Sequence, residues 1–176
     1  LGLSTYFGES ESTAYNGLDL SDKNAVSSAD STIIGINMIG IDGRYQKGAL
    51  QLRGQYIVAD LSNTNQYNIF TGKDLGSKML GYYAEAGYNF LAEKETNNEL
   101  IAFARYENYN THNQVEESPI IGGVVINESY NRTDIIIGLG FKVSNGAMFK
   151  ADYQIKSNEG SDEKTYQLNL GTAIWF

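Results

Sequence analysis

The stretch Arg132-Thr133-Asp134-Ile135-Ile136-Ile137-Gly138-Leu139-Gly140-Phe141-Lys142-Val143 decides the fold. Read with a period of two, Thr133, Ile135, Ile137, Leu139, Phe141 and Val143 fall on one side, and Arg132, Asp134, Gly138, Gly140 and Lys142 on the other. That alternation is the mark of extended chain, whose successive side chains point to opposite faces. Ordinary soluble strands average about 5–6 residues. A strand of about 10–12 residues, tilted by about 45°, is instead long enough to cross the hydrocarbon core of a bilayer.

Moving outward, seven more segments alternate in the same way. The eight are residues 1–10, 32–46, 49–60, 79–91, 100–109, 130–143, 147–157 and 165–176. In residues 100–107, Leu100, Ala102, Ala104 and Tyr106 oppose Ile101, Phe103, Arg105 and Glu107. Further on, Phe149, Ala151, Tyr153 and Ile155 oppose Lys150, Asp152, Gln154 and Lys156, and Ile39, Ile41 and Tyr45 oppose Asp42 and Arg44. In each of these four strands all charges share one side, as expected where a charge at the bilayer midplane costs about 2–4 kcal/mol. The alternation slips near Met38-Ile39, where a bulge or a shorter strand is expected.

The connections add a second pattern. Lys47-Gly48, residues 92–99 and Ser144-Asn145-Gly146 are short, whereas 11–31, 61–78, 110–129 and 158–164 are long or polar. Strict alternation of short and long connections is expected of a transmembrane barrel, with short periplasmic turns and longer extracellular loops. Aromatics on the apolar side cluster at strand ends. Tyr45, Phe90, Phe141, Phe149 and Phe176 are expected at the periplasmic rim, and Tyr56, Tyr82, Tyr106, Tyr153 and Tyr166 at the extracellular rim.

Composition bounds the alternatives. The 176 residues suffice for one domain of about eight barrel strands. With no cysteine, neither a disulfide framework nor a thiolate metal site can form. No window of 18 consecutive apolar residues exists, so a transmembrane helix is excluded. A mean hydropathy of −0.34 does not count against a barrel, in which only alternate residues face lipid. The net charge of −8 argues against nucleic-acid binding. The chain opens at Leu1 with no visible leader, which is read as a mature product or a fragment. The fold expected is therefore all-β, an antiparallel up-and-down transmembrane β-barrel with eight strands in residues 1–176.

The closing segment Tyr166-Gln167-Leu168-Asn169-Leu170-Gly171-Thr172-Ala173-Ile174-Trp175-Phe176 resembles the C-terminal assembly signal of Gram-negative outer-membrane proteins. The resemblance makes Phe176 the assembly signal, the barrel-assembly machinery a partner, and the C-terminus periplasmic. The runs Leu52-Arg53-Gly54-Gln55-Tyr56, Gly81-Tyr82-Tyr83-Ala84-Glu85-Ala86-Gly87-Tyr88-Asn89, Phe103-Ala104-Arg105-Tyr106-Glu107 and Phe149-Lys150-Ala151-Asp152-Tyr153-Gln154 look like the C-terminal half of Bacteroidetes-type porins. Those are similar to the phosphate-selective porin O and P group. The likeness runs over essentially the whole chain. It implies a single domain that is the C-terminal portion of a longer barrel, with upstream strands. It does not carry phosphate selectivity over, because no lysine ladder is evident.

The candidate site is the charged side of the strands. Asp42, Arg44, Arg53, Glu85, Arg105, Glu107, Asp134, Lys142, Lys150, Asp152 and Lys156 are expected to line a pore, with Arg132 beside them. That side then holds seven of the 13 basic residues but only five of the 21 acidic ones, so acidity is left to loops and turns. Two readings stay open: a wet pore whose charges tune passage of small polar solutes, and a filled eight-stranded interior in which they pair. The first is a porin for passive diffusion of small hydrophilic solutes or ions. The second is a small structural or adhesion-type barrel acting through loops 11–31, 61–78 and 110–129. No enzyme is expected, since no convergent catalytic set can be read. His112, the single histidine, is expected in an exposed outside loop.

No cofactor and no metal are implied. The acidic stretches at Asp19–Asp22, Glu116-Glu117 and Glu159–Glu163 match no spaced calcium-loop pattern. Gly138-Leu139-Gly140 precedes no helix and is no phosphate loop. Glycines 81, 87, 138, 140 and 171 are expected to leave room beside bulky neighbours or to let strands coil. The partners implied are outer-membrane lipid, lipopolysaccharide, small polar solutes and, since porins of this kind occur as monomers or trimers, further copies of the chain.

Overall fold

A computed structural model describes residues 1–10, 12–117 and 123–174. Eight strands form one antiparallel sheet in sequence order. They are β1 (Gly2–Glu9), β2 (Gly35–Lys47), β3 (Leu50–Ser62), β4 (Lys78–Asn89), β5 (Glu99–Gln114), β6 (Asn131–Ser144), β7 (Ala147–Asn158) and β8 (Ser161–Ile174). Two helices, α1 (Lys23–Asp30) and α2 (Thr64–Thr71), lie in the first two long connections. Every strand pairs with its sequence neighbours, the arrangement of an up-and-down barrel wall, but the sheet does not close. Among the described residues nothing pairs with the outer edges of β1 and β8.

All eight expected strands are present, within a few residues of their expected bounds. From β2 on they run 12–16 residues. The slip expected near Met38-Ile39 is not a bulge. β2 begins at Gly35 and pairs without a register shift on both sides, so Ile36 and Met38 simply join the charged side near one end. Register shifts occur elsewhere, at Lys78/Leu80, Lys142/Ser144 and Lys156/Asn158. The 158–164 connection is not long either. Glu159 and Gly160 alone join β7 to β8, so the alternation of short and long connections fails at its last member. Trp175 and Phe176 lie outside the described residues, and with them the expected assembly signal.

One face of the sheet is apolar and uncovered. Ile39, Ile41, Leu50, Leu52, Ile135, Ile137, Leu139, Leu168 and Leu170 are all exposed on it. Among the described residues no helix or second sheet packs there. Among them, too, a core in the usual sense is nearly absent, with only Ala29, Ile34 and Ala59 as buried hydrophobics. On this face the expected aromatic rows are formed. Tyr56 pairs with Tyr82, Tyr82 lies 6.2 Å from Tyr106 between ring centroids, and Tyr153 stacks on Tyr166 at 6.1 Å. Nearer the short-turn end, Phe141 pairs with Phe149, and Tyr88 meets Phe90 edge-on at 5.3 Å.

The opposite, charged face lies inside the curl of the sheet. A single cleft of about 440 Å³ is lined both by Arg44 of β2 and by Lys150 of β7. Strands five places apart in a flat sheet stand about 24 Å apart, too far to share so small a space. Glycine permits close packing within the curl. A Cβ on Gly138 would lie 2.6 Å from the Ala151 carbonyl oxygen and from Asp152 Cβ, and 2.7 Å from Phe103 Cζ. Gly138→Ala is therefore expected to cost about 1–3 kcal/mol through overpacking against backbone, measured as a lower urea midpoint. Gly171, with nothing within 4 Å, leaves room for Ala without such a cost.

Candidate functional site

Strand register puts Asp42, Arg44, Arg53, Glu85, Arg105, Glu107, Asp134, Lys142, Lys150, Asp152 and Lys156 all on the charged face. They fall into rows of direct cross-strand partners. One row runs Arg44, Arg53, Glu85, Arg105, Ile136, Gln154, Gln167 from β2 to β8. The next runs Asp42, Gln55, Tyr83, Glu107, Asp134, Lys156, Thr165.

Within the first row a charge ladder forms. Arg53 Nε donates to Glu85 Oε1 at 2.9 Å, and its Nη2 reaches the same oxygen. Arg105 Nε stands 3.3 Å from Glu85 Oε2 as an ion pair without hydrogen-bond alignment, and its Nη1 donates to Glu107 Oε2 at 3.3 Å. The Arg105 guanidinium also lies 3.9 Å from the Tyr83 ring centroid, a cation–π contact. Glu85 is 9% exposed between its two arginines. Lys142 pairs with Glu99 at 2.8 Å, and Lys150 with Asp152 at 3.2 Å. Asp134 accepts from Gln154 Nε2 at 2.8 Å, and Asp152 from Asn169 Nδ2 at 2.9 Å. Lys156 donates to Gln167 Oε1 at 2.7 Å. Glu85, Asp134 and Asp152 are thus covered and answered, whereas Asp42 is exposed, as are about half of the Arg53 and Lys150 side chains.

Apolar side chains interrupt the charges. Ile101, Phe103, Ile136 and Met148 share the charged face, and Lys150 Nζ lies 4.6 Å from the Phe103 ring centroid. The alternation around Arg105 assigns Ile101 and Phe103 to this face from sequence. The same alternation puts Ile136 between Asp134 and Gly138 and Met148 two residues before Lys150, and the register agrees.

At the long-connection end, neighbouring loops are stitched together, and here His112 corrects the expectation of an exposed loop residue. β5 runs on to Gln114, and the His112 ring is 2% exposed. Its Nε2–H faces the Asp74 carbonyl oxygen, and its Nδ1 accepts from the Asn127 amide at 3.3 Å. The ring packs 4.6 Å from Tyr130, whose hydroxyl donates to Asp74 Oδ2 at 2.9 Å. That hydrogen bond to a carboxylate raises the Tyr130 pKa above its ordinary value. Asp22 caps α1 through the amides of Asn24 and Ala25, and Asp19 accepts from the Ser21 amide and hydroxyl, which lowers its pKa.

Glu116 serves the neighbouring loop. Asn63, the residue before α2, has a left-handed φ of 65° and makes no side-chain cap. It donates instead to the Ile33 carbonyl at 2.7 Å. Glu116 Oε2 takes over the capping and accepts from the Asn65 amide at 2.7 Å. Glu116→Ala is expected to destabilise α2 by about 1 kcal/mol. Hydrogen exchange would read this as faster exchange of amides 64–71 with the strands unchanged.

No family model, curated protein or solved structure matches the chain.

Proposed function

We propose that this chain forms part of the wall of a bacterial outer-membrane porin, of the kind the Bacteroidetes-type resemblance implies. Small hydrophilic solutes or ions diffuse passively along its charged face. One observation carries the reading: away from their ends the long strands carry their charges on one face, while the other is apolar, exposed and, among the described residues, covered by no protein. Lipid is the solvent that makes such a face stable, and the two aromatic rows then sit at the headgroup levels. In this orientation the turns after β2, β4 and β6 are periplasmic, and the stitched loops, with the short turn between β7 and β8, are extracellular, facing lipopolysaccharide.

The open sheet supports a porin over a small eight-stranded adhesion barrel. Unpaired backbone groups at the edges of β1 and β8 are not tolerated in hydrocarbon, so a membrane wall built from this sheet closes through additional strands. The test is single-channel recording in planar bilayers. Discrete conductance steps are expected from the full-length protein, closing strands included, folded in detergent. Silence from correctly folded protein overturns the reading.

A further inference from the structure

We propose that the cleft on the charged face binds organic carboxylates with a small apolar body, such as an aryl or branched alkyl carboxylate. The headgroup is held by Arg44 and Arg53, and the body lies on Ile101, Phe103 and Met148. The proposal deepens the porin reading and rests on it for how the solute arrives, though not for the binding itself.

Two independent observations lead there. The first is an electrostatic cost with no internal repayment. Arg44 and Arg53 are direct cross-strand partners, and like charges placed so destabilise a sheet. Arg53 is answered by Glu85, but Arg44 has no carboxylate within ion-pair distance among the described residues. Asp42, two residues away on the same face, turns its carboxylate over Gly2 towards β1. A bound anion would offset the repulsion, and a guanidinium presents the planar fork that fits a carboxylate.

The second is an apolar strip where a polar wall needs none. Ile101, Phe103 and Met148 line the same cleft as the two arginines, and all three are partly exposed. Glycines stand across from them. Gly140 opposes Ile101, and Gly138 opposes Phe103. Phe103 and Met148 lie down into the space a side chain at Gly138 and Gly140 would take, with Lys150 Nζ over the Phe103 ring, so the strip lies low on the wall of the cleft. The volume of about 440 Å³ lies within the range of small-molecule sites. An inorganic anion would engage the arginines alone and leave the strip wet. A compact organic anion uses both.

The test is titration calorimetry on the protein folded in detergent, with benzoate, benzamide and inorganic phosphate as probes. Benzoate is expected to bind at least about tenfold more tightly than either of the others, a hydrogen-bonded charge and an apolar contact each being worth about that factor. Arg44→Gln and Phe103→Ser are each expected to weaken benzoate about tenfold. Arg44→Lys, which keeps the charge and loses the fork, is expected to recover only part of the loss. Met148→Ser, at the rim of the strip, gives the same reading should Phe103→Ser fail to fold. Phosphate binding as tightly as benzoate, or benzoate indifferent to Arg44→Gln, overturns the proposal. A conducting protein that ignores benzoate sinks this inference alone. A benzoate-binding protein that never conducts sinks the porin reading alone.

Discussion

Ile137→Arg is expected to abolish or severely reduce folding into phospholipid vesicles, while Gln154→Arg on the adjoining strand is expected to fold normally. Ile137 is 53% exposed on the apolar face, opposite Ala104 and Tyr153 and, on its own strand, between Ile135 and Phe141 of the phenylalanine row. If lipid covers that face, a guanidinium there costs about 2–4 kcal/mol, a large part of the stability of a typical domain. Gln154 is the residue after Tyr153 and points to the charged face, where its amide already donates to Asp134. An arginine there gains a carboxylate partner. In a water-soluble protein the outcome changes, because a half-exposed isoleucine on a wet surface can be replaced within about 0.5 kcal/mol. Heat-modifiable gel mobility and urea titration in vesicles separate the cases. Normal lipid-dependent folding of Ile137→Arg would remove the membrane from the account.

Glu85→Gln is expected to lower stability by about 1–3 kcal/mol and to turn the conducting protein towards anions. The carboxylate lies between Arg53 and Arg105, and removing it leaves two guanidiniums facing a neutral amide with Arg44 one strand further on. Breaking a fully buried pair costs about 3–5 kcal/mol, but Arg53 is 43% exposed, so solvent screening reduces the figure. Glu85→Asp keeps the charge and is expected to restore the reversal potential in a salt gradient, though not the full urea midpoint. A drop in stability with an unmoved reversal potential would make the ladder a structural brace away from the ion path.

The parts of this fold legible in the sequence are those in which one face is polar and the other apolar. Between Ile135 and Val143, or Phe149 and Ile155, alternation persists over enough residues to set strand, phase and face together. The extension of β5 through Thr111, His112 and Asn113 is different. It is polar on both sides, so period two vanishes and the run reads as a loop. The hairpin at Glu159-Gly160 is hidden in the same way by Asp162, Glu163 and Lys164, which occupy both faces at the start of β8. Helix α2 has eight residues and no local cap, since its capping carboxylate comes from Glu116, 51 residues away. Such a partner is invisible until the chain is folded. The burial of His112 depends likewise on Asp74 and Asn127, from two other connections. The charged face was legible residue by residue, but its ladder was not, because pairing of Arg53, Glu85 and Arg105 requires the register.

The row from Arg44 to Gln167 takes six steps across the sheet, always to the direct cross-strand partner. In a closed wall the strands lean, and steps of about 4.8 Å at a slope of about 40° lift the row by roughly 18 Å from end to end. It is then a ramp, not a ring. In the proposed porin a dipolar solute following it would meet guanidinium, carboxylate, guanidinium, hydrocarbon and amide at successive depths and successive bearings, and would have to swivel as it descends. The proposed porin would then sort molecules by how their dipole lies along the body, a property that width alone does not sense.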